Sequence, residues 1–374
     1  MKNSSRTGHP RWSLALLVLG TILAFAAIFS IWVNRQALNT DNWVDTSTRL
    51  IQNDEVRSRL ANYLANELTA NADIEGGLRE ALPPKLAPLA TAAAGGLEQL
   101  APQAAERLFA TPRFEALWEA ANRKAHEELL QVLNGGGSAV STGNGEVKLQ
   151  LAAVLAQIGE GSGAGEALAK KLPPEAGEIT ILKSDELSLA QDVANLLRKL
   201  PIALTLAALL CFALAVYLSP RRREALRSVG FAFVVAGLLS FALRGFAGTY
   251  VVSGLSKTTA AEPAVGAVWS IGTSELVTVA TSAIVFGLLV ALAAILAGPT
   301  RAAVSLRRHI APYAERSPAG LWGAALVIFL ALIAWAPVTA FHKPLGFLIF
   351  ALLFAVGTEL FRRQLLEEGS ARRP

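Results

Sequence analysis

Two ionisable residues inside apolar stretches of this sequence are the strongest candidates for chemistry. Arg244 and Glu275 each lie a few residues from the end of a stretch that is long enough to cross a bilayer. A charged side chain costs about 2.5 to 3.5 kcal/mol at the centre of a membrane helix, so each needs a partner or water. We predict that they form an interhelical ion pair at similar depth. The alternatives are that they line a ligand or ion cavity, or that each reaches interfacial water.

Small and hydroxyl-bearing residues accompany both charges at helical spacings of three and four. The set on the first stretch is Gly237, Ser240, Arg244 and Gly248. The set on the second is Ser274, Thr278, Thr281 and Ser282. Such faces allow close contact between membrane helices, and hydroxyl groups can hydrogen-bond across the contact. We interpret the pattern as a packing face, with a substrate path as the alternative.

Residue types and motifs argue against catalysis. Four histidines and the single cysteine, Cys211, exclude a disulfide framework and a metal site built from several His and Cys ligands. No nucleophile elbow, zinc-protease motif or P-loop occurs in the sequence. Glu359 precedes Arg362 and Arg363 by three and four residues, which predicts local ion pairs near the membrane surface. The sequence therefore predicts no enzyme and no cofactor, although a membrane-embedded enzyme built from dispersed residues is a third alternative.

Composition decides the class of protein. Of the 374 residues 53% are hydrophobic and only 17% are charged, with a mean hydropathy of +0.42, which is typical of an integral membrane protein. The net charge of +5 is divided unevenly along the chain, so no nucleic-acid partner follows from it. Six apolar stretches are candidate spans, at residues 12–33, 200–218, 229–251, 271–296, 321–336 and 345–360.

Arginine and lysine residues beside the spans set the expected orientation, because flanking positive charge resists translocation. The clusters that fall on one side are Lys2, Arg6, Arg11, Arg221, Arg222, Arg223, Arg227, Arg301, Arg307, Arg308, Arg316, Arg362, Arg363, Arg372 and Arg373. The two short connections on the other side carry only Lys257 and Lys343. Both termini are therefore predicted to be cytoplasmic, and the acidic stretch between the first two spans is predicted to lie outside.

That outer stretch has the length and patterning of an α+β domain. Helical spacing begins near Asp41, continues after Asp54 as an expected N-cap, and is broken at Thr111-Pro112. Alternation of apolar and polar residues predicts short strands at residues 147–151 and 179–181, with turn signals around Ala139-Val140. A helix that starts at Ser184-Asp185 is predicted to run into the second span.

The first span has a second interpretation as a cleaved signal peptide. An apolar run at residues 14–23 is followed by Ala24-Phe25-Ala26, which has the small-x-small pattern of a cleavage site. The apolar stretch continues through residue 33, as an uncleaved anchor does, and we favour the anchor. The outer domain faces the same way in either case.

A series of short motifs runs from residue 39 to residue 223. The motifs are Asn-Thr-Asp-Asn-Trp-Val-Asp at 39–45, Leu50, Asp-Glu-Val at 54–56, Gly-Glu-Val-Lys-Leu-Gln-Leu at 145–151, the segment 178–187, and the three arginines at 221–223. Together they resemble a group of actinobacterial multi-pass membrane proteins that has no assigned activity. That group carries an acidic residue where this chain has Gln150. The resemblance implies a bacterial plasma membrane, with a domain between the first and second transmembrane helices that faces the cell envelope.

We therefore expect an α-helical membrane protein with six transmembrane helices and an extracytoplasmic, mostly helical α+β domain. Residues 1–34 hold the N-terminus and first helix, 35–198 the outer domain, 199–365 a five-helix bundle and 366–374 the cytoplasmic tail. The expected function is non-catalytic envelope binding, sensing or scaffolding, and the alternative is a carrier of a small or lipidic solute. The expected partners are the lipid bilayer and, through the outer domain, envelope proteins or lipids; nothing in the sequence indicates an oligomeric state.

Overall fold

Helices dominate the protein in a computed structural model that describes residues 10–71, 74–81, 83, 87–134, 140–143, 146–150, 178–256, 258–298, 301–335 and 344–370. The helices are α1 (Pro10–Leu38), α2 (Thr40–Gln52), α3 (Asp54–Asn71), α4 (Ile74–Ala81), α5 (Ala90–Phe109), α6 (Pro112–Leu133), α7 (Ser184–Leu218), α8 (Arg222–Leu255), α9 (Glu262–Gly272), α10 (Ser274–Leu296), α11 (Arg301–Arg316), α12 (Pro318–Trp335) and α13 (Pro344–Ser370). Short 3-10 helices occur at Ala87–Leu89 and Thr259–Ala261.

Four of these helices, α1, α7, α8 and α10, are long and apolar enough to cross a bilayer. A helix satisfies its backbone hydrogen bonds internally, which is why an apolar run in lipid adopts this structure. The chain is therefore an α-helical membrane protein. The predicted fifth and sixth spans fall on α12 and α13. Within α12, the apolar segment Ala319–Leu330 is shorter than the four candidate spans. Residues 336–343, where the fifth span was predicted to end, lie outside the described residues.

The predicted fourth span begins later than the sequence suggested. Residues 271 and 272 belong to α9, and a new helix starts at Ser274. Thr273 is buried between the two helices, and its hydroxyl donates to the Trp269 carbonyl 2.6 Å away. Gly272 and the β-branched Thr273 are weak helix formers, and this side-chain bond competes with continuation of the helix. Apolar composition alone does not detect such a break.

The described residues group into two compact units, which we call the bundle unit and the helical unit. The bundle unit consists of Met1–Trp32, Leu200–Arg244 and Glu275–Pro374. Its core joins α1, α7, α8 and α10 through alanines and larger side chains such as Ile28, Phe212 and Leu276. The Ser13 hydroxyl also donates to the Ala215 carbonyl at 2.8 Å, which ties α1 to α7.

Glycine pairs bring α8 and α10 into close contact within the bundle unit. A Cβ atom on Gly230 would lie 2.6 Å from the Gly287 carbonyl oxygen, and one on Gly287 would lie 2.5 Å from the Gly230 oxygen. A Cβ on Gly237 would lie 2.8 Å from the Ala280 oxygen. Only residues without a side chain allow backbones to approach this closely, as is common between membrane helices.

The helical unit consists of Val33–Lys199 and Gly245–Ser274. Here α3 packs against α5, α2 packs against α6, and α9 contacts both α2 and α3. Small residues line the first of these contacts, because Ala61 and Ala65 on α3 and Ala90 and Ala94 on α5 are buried. The segment Gly245–Ser274 joins this unit, although its two ends, residues 245–251 and 271–274, were assigned to predicted spans.

Three short strands form one antiparallel sheet in the order β1 (Val140–Gly143), β2 (Glu146–Gln150) and β3 (Glu178–Lys183). Val140 pairs with Leu149 between the first two strands, and Leu149 pairs with Ile179 between the second and third. The register shifts between Val147 and Lys148. β2 and β3 overlap the predicted strands at residues 147–151 and 179–181, whereas β1 begins in the region of the turn signals around Ala139-Val140. Leu151 and the residues up to 177 lie outside the described residues.

Local signals set several helix boundaries as predicted. Thr111 and Pro112 separate α5 from α6, and the Thr111 hydroxyl accepts a hydrogen bond from the Phe114 amide at 3.3 Å. The predicted N-cap at Asp54 is wrong by one residue. The Asn53 side chain accepts from the Val56 amide at 3.2 Å, because an Asx side chain caps best from the position just before the helix.

Candidate functional site

The segment 39–45, which carries the first motif of the resemblance, forms the start of α2 in the helical unit. The Asn39 side chain accepts a hydrogen bond from the Asn42 amide at 2.9 Å and so caps the helix. Asp41 lies in the first helical turn, where a carboxylate interacts favourably with the helix dipole. Val44 and Ile51 are buried seven residues apart on one face. The N-cap, the acidic residue in the first turn and the spacing of the buried apolar residues therefore all favour a helix at this position.

His126 on α6 is the buried polar centre of the contact between α2 and α6. Its side chain is 3% exposed. Nε2 lies 3.3 Å from the Ala37 carbonyl oxygen, and Nδ1 lies 3.1 Å from the Thr40 hydroxyl. A carbonyl oxygen only accepts, so we assign the proton of the neutral ring to Nε2 and the donor role at Nδ1 to the Thr40 hydroxyl.

Aromatic rings complete this contact. Trp43 stacks on His126 with ring centroids 5.1 Å apart and planes inclined by 20°. Trp118 donates from Nε1 to the Ser47 carbonyl at 3.0 Å. Burial lowers the pKa of His126 below its ordinary value of 6.5, against the opposing effects of the Ala37 carbonyl and the Glu127 carboxylate. The neutral ring is therefore the form that this packing favours.

Charged residues at the rim of the contact also have partners. Arg123 donates to the Asp41 carboxylate at 2.8 Å, and this hydrogen bond raises the pKa of Arg123. Lys124 lies 2.9 Å from one oxygen of the buried Glu128 carboxylate. The other Glu128 oxygen is buried without a hydrogen-bond partner. The Arg123–Asp41 ion pair therefore joins α6 to α2, and the Lys124–Glu128 ion pair lies within α6.

Arg49 forms a second polar contact in the helical unit, between α2 and the break that separates α9 from α10. Its guanidinium group donates to the Ser274 hydroxyl and to the Ile271 carbonyl at 3.4 Å, and it lies 3.2 Å from the Asp45 carboxylate. A cation near the last carbonyl groups of a helix is stabilised by the helix dipole. Arg49 therefore helps to hold α9 against α2.

No family model matches the chain, and neither does any curated protein or solved structure. Chemical roles therefore depend on the residues and their geometry alone. Across the described part of the chain, no group of three or more His, Cys, Asp or Glu side chains could hold a metal ion.

The residues that the sequence singled out lie on α8 and α10. Arg244 and Glu275 are both half-buried, and their pairing stays a prediction. Ser240 is fully buried and its hydroxyl donates to the Ala236 carbonyl of the same helix at 2.9 Å. Ser282 likewise donates to Thr278 within its own helix at 2.8 Å. These two bonds run along each helix, and hydroxyl bonds across the helix contact stay a prediction.

Other predictions have clear outcomes. Glu359 pairs with Arg362 at 2.9 Å and with Arg363 at 3.0 Å, which confirms the predicted local ion pairs. Ser274, predicted to belong to the polar face of a span, is the first residue of α10 and accepts a hydrogen bond from Arg49; its place on that face stays a prediction. Sequence reasoning missed Arg49 and His126 as contact residues, since their partners are distant in sequence and no local spacing signals them.

Proposed function

We propose that this chain is a six-span protein of a bacterial plasma membrane with both termini in the cytoplasm. Residues 35–198 form an extracytoplasmic α+β domain that binds or senses envelope components, or scaffolds them, without catalysis. The actinobacterial group that the motifs resemble is the proposed family. The four apolar helices and the one-sided arginine clusters support the multi-pass arrangement.

One observation carries the non-catalytic function: the first three polar side chains of the 39–45 motif are engaged either in capping α2 or in holding it against α6. Asn39 caps its own helix, Thr40 binds His126, and Asp41 binds Arg123. A general base or nucleophile must reach its substrate, but His126 is buried beneath Trp43. The most distinctive polar residues of the unit therefore support its architecture and leave the surrounding surface for binding.

A carrier of a small or lipidic solute is the second candidate. It is favoured by Arg244 and Glu275, which lie half-buried on apolar helices where charge is costly. Complementation of a deletion strain would separate the two functions. We expect a chain whose residues 35–198 are replaced by a short linker to fail, and a chain with alanine at Ser240, Ser274, Thr278 and Ser282 to succeed. The reverse result would favour the carrier.

Topology is tested by single cysteines on a Cys211→Ser background. Exposed positions are available at Gln103 in the helical unit and at Ser305 on α11, and Ser370, the last residue of α13, reports on the C-terminal end. With a membrane-impermeant maleimide on intact cells, we expect labelling of Gln103→Cys only. Ser305→Cys and Ser370→Cys should react after permeabilisation. Outside labelling at position 370 would contradict the last two spans, and protection at position 103 would reverse the orientation.

A further inference from the structure

Helix α11 lies between two apolar helices but has the wrong composition to cross the bilayer. Its 16 residues include four arginines, at positions 301, 307, 308 and 316. It follows α10 after a short connection and ends one residue before α12, and all three belong to the bundle unit. A polar helix joined this closely to the end of a membrane span must lie near the membrane surface.

One face of α11 is fixed to the bundle unit. Ala303 and Arg307 are each 2% exposed, and the helix packs against α12 and α13. The Arg307 guanidinium donates to the Leu296 carbonyl and to the Gly298 carbonyl at 2.9 Å, at the end of α10. These bonds satisfy carbonyl groups that a helix end leaves unpaired. The orientation of α11 about its own axis is therefore set by this buried arginine.

The rest of its surface divides into an apolar flank and a cationic face. Leu306 is 44% exposed and Tyr313 is 73% exposed, and they are seven residues apart, which places them on one side of the helix. Arg301 and Arg308 are exposed and also seven residues apart, on another side. At 100° per residue, the apolar flank lies about 90° from the buried face on one side, and the arginine face lies about 130° from it on the other.

Further positive charge adjoins the same end of α10. Arg223, at the start of α8, donates to the Ala297 carbonyl at 2.7 Å, one residue from the carbonyls that Arg307 binds. Arg221, Arg222 and Arg227 are exposed on the neighbouring turns. The surface beside α11 is therefore strongly cationic, which complements an anionic lipid layer and disfavours a cationic partner.

We propose that α11 is an interfacial helix that inserts Leu306 and Tyr313 among lipid chains and binds phosphate groups of anionic phospholipids through Arg301 and Arg308. Burial of an apolar flank together with charge attraction is what holds amphipathic helices at a membrane surface. The inference rests on the proposed function, in which α12 crosses the membrane as α10 does. Both ends of α11 then lie at the same membrane surface.

Lipid contact is tested with the full chain in nanodiscs on the Cys211→Ser background. An environment-sensitive fluorophore is attached at Tyr313→Cys, and at Ser305→Cys on the polar face as the matched control. We expect a blue-shifted emission and quenching by headgroup-proximal nitroxide lipids at position 313, and weaker quenching at position 305. A probe at 313 that is shielded from water but not quenched by lipid would assign the flank to a protein partner and overturn the proposal.

Headgroup preference is tested by the ratio of phosphatidylglycerol to phosphatidylcholine that stays bound in native mass spectrometry. Each arginine near an anionic surface contributes about a fivefold factor in affinity, so Arg301→Gln with Arg308→Gln should weaken the preference by about 30-fold. The control is Arg107→Gln with Arg113→Gln, two exposed arginines of the helical unit, which should change little.

Two results would overturn the headgroup assignment. One is an unchanged preference in the Arg301→Gln, Arg308→Gln protein while its thermal midpoint matches the wild type. The other is displacement of the bound lipid by inorganic phosphate, which would assign the site to a soluble anion. These readouts are independent of sidedness, so a failed topology experiment and a failed lipid experiment are distinguishable.

Discussion

The indole ring of Trp43 lies nearly parallel to the imidazole ring of His126, with centroids 5.1 Å apart. The two residues belong to α2 and α6, and the same imidazole also contacts Thr40 and the Ala37 carbonyl. One neutral, buried side chain thus joins the end of α1, the start of α2 and the middle of α6. The stability of this contact should depend on the protonation state of that ring.

We expect the helical unit to lose stability as the pH falls below 6.5. The pKa of His126 is lower in the folded protein than in the unfolded chain, so the unfolded chain binds more protons in this range. The stabilisation is complete above pH 6.5, is lost on acidification, and the loss levels off below the lowered folded pKa. The effect is measured by comparing the thermal midpoints of the full chain in detergent at pH 7.5 and pH 5.0.

His126→Gln is the control for this pH dependence, because glutamine keeps a polar side chain and does not titrate. The exposed His309 is present in both proteins, so its contribution cancels in the comparison. We expect a smaller acid-induced drop of the midpoint in His126→Gln than in the wild type. Equal drops in both proteins would contradict the assigned role of His126.

Substitution of Gly230 by alanine should destabilise the contact between α8 and α10. The added methyl would lie 2.5 Å from the Ala291 amide nitrogen and 2.6 Å from the Gly287 oxygen, so the backbones must separate. Overpacking of this kind costs about 1 to 3 kcal/mol. The measurement is the fraction of monodisperse protein after heating, followed by size-exclusion chromatography.

Gly245→Ala on the same helix is the matched control. A Cβ at Gly245 meets no atom within 4 Å, and alanine is favoured over glycine in a helix by about 0.5 to 1 kcal/mol. We expect Gly245→Ala to match or exceed the wild type. A similar loss for both variants would contradict the role of the close approach at Gly230, because Gly245→Ala creates no clash.

Arg307→Met should destabilise the end of α10, since it removes the donors to the Leu296 and Gly298 carbonyls while keeping the apolar stem. Leaving buried acceptors unpaired costs about 1 to 3 kcal/mol each. Arg308→Met, one residue along and exposed, removes the same charge without these bonds. A lower thermal midpoint for the first variant but not for the second is expected; equal midpoints would refute the role of Arg307.

The predicted pair of Arg244 and Glu275 is tested by a double-mutant cycle in folded yield and thermal midpoint. We expect Arg244→Leu to lower both quantities, because it would leave a carboxylate unpaired among apolar helices. Adding Glu275→Leu should restore part of the loss, with a coupling of about 0.5 to 3 kcal/mol. Normal folding of Arg244→Leu and no change on adding Glu275→Leu would argue that each side chain reaches interfacial water.

Local features of this protein follow from the sequence alone. Apolar runs define α1, α7 and α8, a Thr-Pro pair separates α5 from α6, and the spacing of Glu359 and Arg362 predicts their ion pair. In each case the interacting atoms lie within one or two helical turns, so the pattern of residue types contains the information. The same reasoning identified the alternation that corresponds to β2 and β3.

Contacts between distant segments were decided only by the tertiary structure. His126 meets Thr40 across 86 positions, and Arg49 meets Ser274 across 225. The close approach at Gly230 likewise depends on which residue of α10 lies opposite. Hydrophobic periodicity indicates which face of a helix is buried but not which element packs against it. The free energy of burial is non-directional and does not select a partner. The polar partners of this protein were therefore set by packing, which local spacing does not encode.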